Sequence, residues 1–248
     1  MSQDWMQQGP PPPPPPPPPA YNPYGYSGSP PPSGGSGAVF PWEDRARLGL
    51  VTALVETGKL LITQPKEAYS RLQPNGDLTS PLLFGLIVSW PVFIVSLVWQ
   101  LLLGGMMGGF GNTEAAGMSV LSLGLYAVCY PILYLIGVFI SAGIFHLTLS
   151  LLKGLEQSPF GFEGTLKVVA YAYVGQIASV VPMIGGFVTL GLFIYLSING
   201  LQVVHRTSQK NAVLAIVLPM LLCCVCAAII FALFGAALAT AMAGASGG

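Results

Sequence analysis

Few side chains in this sequence are equipped for chemistry. There are two histidines, His146 and His205, and four cysteines, Cys129, Cys223, Cys224 and Cys226. Cys223 and Cys226 form a single Cys-x-x-Cys. A structural zinc needs about four nitrogen or sulfur ligands, and neither a second cysteine pair nor a neighbouring histidine supplies the rest. All four cysteines lie in apolar runs, where a free thiol behaves as a small hydrophobe. The HExxH, P-loop and GxGxxG spacings are absent. No catalytic residue, cofactor or metal ligand is therefore expected, and the chain reads as a non-enzyme.

The elements that carry these residues are apolar. Of 248 residues, 53% are hydrophobic and only 7% charged, with a mean hydropathy of +0.68. A soluble domain carries about 25% charged residues. Such a deficit cannot cover a surface facing water, so much of the surface must face lipid. The nine basic and nine acidic residues cancel, which offers nothing to a nucleic acid. An ionisable group near the centre of a span usually marks a transport path, and here there is essentially none. His146 falls toward one end of a span. Gln100 and Gln176, the deeper polar groups, are explained by hydrogen bonding between helices.

The expected fold is all-α, a polytopic bundle of five transmembrane helices preceded by amphipathic helices and a disordered tail. The tail covers 1–39 and contains an unbroken proline run from Pro10 to Pro19. Proline fixes φ and removes a donor, so the run is an extended rod within a solvated segment. A docking strip for an aromatic groove is the other reading. The tail lacks the basic and apolar regions of a signal peptide. Residues 40–80 form the cytosolic or interfacial region. Over 43–63, Val51, Leu54, Val55, Leu61 and Ile62 share one helical face, and Thr52, Glu56, Lys59 and Thr63 the other. Pro65 opens a second short helix through Leu72, and Leu72 to Asp77 is a turn.

The membrane domain covers 81–240, with spans at 81–103, 117–152, 166–181, 185–204 and 212–239. The third is shorter and more polar than the rest, and a re-entrant hairpin with the fourth is its alternative. A short non-cytoplasmic tail covers 241–248. Arg45, Arg47, Lys59, Lys66 and Arg71 precede the first span, Lys153 and Lys167 flank the second loop, and Arg206 and Lys210 flank the fourth. With five spans every basic residue falls on one side, which the positive-inside rule makes cytoplasmic. Small residues at i and i+4 are candidate helix-packing sites: Gly104 with Gly108, Gly137 with Ser141, and Gly175 with Ser179. They serve packing within one chain or self-association, so the expected partners are membrane lipid and a second copy or another membrane protein.

Several stretches together resemble the Yip family, five-span membrane proteins named for interacting with Ypt/Rab GTPases, and in particular its bacterial branch. They are Glu56-Thr57 with Lys59 to Ile62, Pro65, Ala68-Tyr69, Asp77 to Pro81, Phe162 to Ala172, Pro182 with Ile184 to Gly186, Val204 to Ser208, and Ala212 to Ala215 with Pro219. The resemblance implies a cytosolic N-terminal region, five spans and a short far-side tail. It implies Rab-GTPase binding and membrane trafficking only for a eukaryotic chain, in the Golgi or endoplasmic reticulum. For a bacterial one the expected location is the cytoplasmic membrane. The expected role is membrane organisation or partner recruitment, and a small-solute transporter or channel is the alternative. The candidate cytosolic interaction surface is Glu56, Lys59, Pro65, Tyr69, Asp77, Phe162, Glu163, His205 and Arg206.

Overall fold

The computed structural model describes residues 39–73, 77–108 and 113–246, with side chains described over 39–73, 77–103 and 122–234. The expectations for the tail before residue 39 and for the centre of the turn at 74–76 lie outside the described residues. No strand occurs among the described residues. The helices are α1 (Arg45–Leu48), α2 (Leu50–Thr63), α3 (Pro65–Ser70), α4 (Thr79–Gly108), α5 (Thr113–Leu151), α6 (Phe162–Ala172), α7 (Gly185–Val204) and α8 (Gln209–Ser246). A 3-10 helix over Tyr173–Val180 follows α6 directly.

The single helix expected over 43–63 is interrupted. Gly49 sits at φ +82°, a backbone that residues with a side chain rarely adopt, and it separates α1 from α2. The apolar face expected on α2 also divides in two. Ala53, Thr57, Gly58 and Leu61 are buried, whereas Val51, Val55 and Ile62 are exposed. Pro65 occupies the first turn of α3, where its missing amide costs nothing.

Four helices are long and apolar enough to cross a membrane: Thr79–Leu103, Ser122–Leu151, Gly185–Val204 and Gln209–Phe234. These match the first, second, fourth and fifth expected spans. Helix α8 continues to Ser246, so most of the tail expected over 241–248 is helical. Its run of alanines, the best helix formers, accounts for that.

The third expected span takes a different form. It consists of the 11 residues of α6 and the 8 of the 3-10 helix. Every residue from Gly164 to Ala172 is buried. Helices α4, α5 and α7 surround α6, and α2, α4 and α7 surround the 3-10 helix. The most polar of the expected spans is thus enclosed by protein along α6. That is why Thr165 and Lys167 are tolerated there: their partners are protein atoms.

The connections tie one end of the bundle together. Ser158, in the loop after α5, lies 2.7 Å from His205 at the end of α7, and Asn211 Nδ2 donates to Leu152 O at 3.4 Å. Away from that end, Trp99 Nε1 donates to Val180 O at 3.0 Å, and Thr189 Oγ1 to Gly175 O at 3.3 Å. The segment 162–180 and helix α7 therefore run antiparallel between the same two ends. Helices α5 and α7 finish in left-handed caps at Lys153 (φ 55°) and Arg206 (φ 51°). Gly154 N then reaches back to Leu149 O at 2.8 Å and Thr207 N to Gln202 O at 3.2 Å, which satisfies carbonyls the helices leave open.

Candidate functional site

The polar side chains gather at the end of the bundle that carries α1 to α3. A buried aromatic cluster locks that end. Phe40 and Tyr171 rings are 4.6 Å apart, Phe84 and Tyr171 5.3 Å, and Trp42 and Phe84 5.5 Å. Trp42 Nε1 donates to Ser80 O at 2.7 Å, which staples the segment before α1 to the first turn of α4. Neither Phe40 nor Trp42 was among the sequence candidates. Two large aromatics flanking Pro41 in an otherwise polar approach were the available signal.

Two polar assemblies lie beside this cluster. The first is a hydrogen-bonded chain from α5 to the 152–161 loop. His146 Nδ1 is 2.9 Å from Thr165 Oγ1, Thr165 Oγ1 is 2.8 Å from His205 Nε2, and His205 Nδ1 is 2.7 Å from Ser158 Oγ. Ser158 Oγ donates to Phe160 O at 2.5 Å and accepts from Phe160 N at 3.1 Å. Its one proton is thereby used. His205 must then donate from Nδ1 and accept at Nε2 from Thr165, which in turn accepts from His146. In this order His205 does not withdraw a proton from Ser158, so the pair is not arranged as an activated nucleophile. Burial, and next the adjacent His146, push the His205 imidazole down to about 4, so it stays neutral.

The second assembly is a cleft of about 580 Å³ lined by Glu43, Arg45, Ala46, Leu50, Gln73, Asp77, Ser80 and Lys167. Lys167 is buried, pairs with Glu163 at 3.0 Å and donates to Gln73 O at 3.1 Å. Arg45 Nη1 donates to Ser80 Oγ at 2.7 Å and to Trp42 O at 3.1 Å, and the guanidinium lies 5.3 Å from the Trp42 ring. Asp77 accepts from Thr79 N at 2.7 Å and Ser80 N at 3.2 Å, capping α4, and these bonds hold its carboxyl below the ordinary range. The Glu43 carboxylate has no hydrogen-bond partner among the described residues, and burial raises its pKa.

The candidate surface residues divide. Glu56 and Lys59 are exposed on α2, Asp77 and Arg206 are exposed, and Phe162 is partly so. Glu163 is half-buried against Lys167. Pro65, Tyr69 and His205 are buried, with Tyr69 Oη donating to Val168 O at 3.4 Å. The nine therefore do not form one face. The small-residue candidates also separate. A Cβ on Gly175 would lie 3.0 Å from Leu192 Cβ, and one on Gly137 would lie 3.6 Å from Tyr173 Oη, so both face neighbouring helices. Ser141 is half-buried, and Ser179 donates to Gln176 O at 2.7 Å within its own helix. Gly104 and Gly108 close α4, and their surroundings lie outside the described side chains. Tighter approaches occur at Gly85 and Gly200, where a Cβ would fall 2.1 Å from Tyr134 Oη and 2.5 Å from Val168 Cγ1. Gly85-x-x-x-Ser89 has the same small-residue spacing and could have been found by it.

Comparison with known protein families gives a match. The family model described as the Yip1 domain covers residues 59–231, from the middle of α2 into α8. No curated protein and no solved structure matches the chain.

Proposed function

The chain belongs to the Yip1 domain family, and from that premise we propose that this multi-pass membrane protein organises the bilayer or recruits partners to it, and is not an enzyme. The observation that carries the reading is the three-sided character of α2. Its Ala53–Thr57–Leu61 side is buried, Val51, Val55 and Ile62 are exposed, and Thr52, Glu56, Lys59 and Thr63 form an exposed polar stripe. A helix with protein on one side, bare apolar residues on the next and charge on the third suits the plane of the membrane interface. There it presents Glu56 and Lys59 to a partner in the aqueous phase.

The proposed topology has five crossings with α1 to α3 in the cytoplasm of, on the bacterial-type resemblance, a cytoplasmic membrane. Two observations support it. Eleven α-residues at about 1.5 Å each and eight 3-10 residues at about 2.0 Å each reach about 32 Å, enough for a hydrocarbon core of about 30 Å. The segment is also bonded near its two ends to the two ends of α7, Thr165 to His205 and Gly175 to Thr189, so α7 runs back beside it.

Crosslinking mass spectrometry on the full chain in native membranes tests the role. Reproducible links from Lys59 or Lys66 to another membrane or peripheral protein are expected. Saturable solute flux in proteoliposomes, with no such links, would overturn the reading in favour of a transporter.

A further inference from the structure

We propose that the cleft between the segment before α1, the start of α4 and α6 binds a zwitterionic phosphate–ammonium headgroup, that of an ethanolamine phospholipid. Its lining carries two fixed cations, Arg45 and Lys167, and two carboxylates, Glu43 and Asp77. Lys167 is already paired with Glu163 and Asp77 is bonded to the Thr79 and Ser80 amides, which leaves Arg45 and Glu43, so the complementary ligand carries one charge of each sign. A purely anionic headgroup would meet two carboxylates, and a metal cation two bases. The cavity of about 580 Å³ lies within the range of about 300–1,000 Å³ for small-molecule sites.

Unused hydrogen-bonding capacity points the same way. An ammonium has three donors. Lys167, at 1% exposure, spends one on Gln73 O among the described residues, is ion-paired with Glu163, and lines the cleft. Leaving an ammonium donor unmade in a buried site is costly. Arg45 uses Nη1 alone, so Nε and Nη2 are available to a phosphate oxygen. Glu43 has the opposite need: a half-buried carboxylate with no donor bonded to it among the described residues. A primary ammonium supplies N–H donors to it, and a choline quaternary ammonium does not. Asp77 is already occupied by the backbone of Thr79 and Ser80 and contributes only charge.

The position selects a lipid as the source. Ser80, the second residue of the first apolar helix, lines the cleft, which places it at the end of a candidate span, where a headgroup lies. Leu50 lines it at 54% exposure and offers an apolar contact to the glycerol and acyl chains. The inference requires that α4 crosses the membrane and does not depend on the organising role.

The test uses the full chain in nanodiscs of mixed phosphatidylethanolamine, phosphatidylcholine and phosphatidylglycerol, with retained lipid read by native mass spectrometry. At least a fivefold retention of ethanolamine over choline lipid is expected, falling to near parity in Glu43→Gln with an unchanged melting temperature. Free phosphoethanolamine at millimolar concentration should displace the lipid from the native chain, and phosphocholine and inorganic phosphate should not; this arm stands even if the variant fails to fold. Equal retention of all three lipids, a preference for phosphatidylglycerol, or a preference untouched in a folded Glu43→Gln would overturn the proposal. Displacement by phosphoethanolamine at or below the lipid's own concentration would make this a site for a free solute and would overturn its assignment to a lipid.

Discussion

His205 shows what burial does to a titratable side chain at the rim of a membrane bundle. Its imidazole is fully buried, bonded on both nitrogens, and held near 4 against an ordinary 6.5. The unfolded chain therefore binds a proton between those values that the folded chain refuses. Stability contributed by this group is complete above about pH 6.5 and is lost as pH falls toward about 4, with an upper bound of about 3 kcal/mol. Thermal melts in detergent should show that loss, and His205→Gln should flatten the profile over the same window. Trp42 is a second residue whose role is energetic. Trp42→Ala should cost about 3–5 kcal/mol through the cavity and the lost indole bond, and Trp42→Phe roughly 1–2 kcal/mol, measured by denaturation in detergent. The chemistry at this scale was only partly legible. Tyr69 and His205 have polar tips that suggest a surface, but each tip finds a protein partner inside the fold. That pairing brings together residues 99 apart in one case and 47 in the other, and no local spacing encodes it.

At the scale of elements, close packing is set by where a side chain is missing. Helices α4, α5 and α6 converge at Gly85, where an added methyl would collide with both Tyr134 Oη and Ala170 O, at 2.1 and 2.6 Å. Gly85→Ala should therefore destabilise the bundle by about 1–3 kcal/mol. Gly191→Ala, where nothing lies within 4 Å, should be neutral or stabilising by up to about 1 kcal/mol. Comparing the two melting temperatures checks both. The apolar spans were readable because length and hydropathy are local properties, and the fourth has the expected bounds of 185–204. The third was not readable in its final form. Whether residues 173–180 close i to i+3 or i to i+4 hydrogen bonds depends on the helices that press on them, α2, α4 and α7, and not on their own composition. The break at Gly49 had a local signal, a glycine within a periodic pattern, but the pattern on either side masked it.

For the whole molecule the decisive quantity is the number of crossings. In a background without native cysteines, Gln157→Cys and Ser208→Cys should be labelled only from the cytoplasmic side, and Glu114→Cys only from the other. A mixed pattern would break the five-span topology. Removing residues 1–38 should leave membrane insertion intact, as measured by carbonate extraction, because the Trp42 staple and every basic residue lie beyond them. The 3-10 stretch gives this bundle a mechanical property that a set of five α-helices lacks. Eight residues rewound from about 2.0 Å to about 1.5 Å each shorten by about 4 Å. The Val180 end of the segment is tied to α4 through Trp99, and the other end to α7 through Thr165 and His205. A change of pitch there would be felt as tension between Trp99 of α4 and His205 at the end of α7.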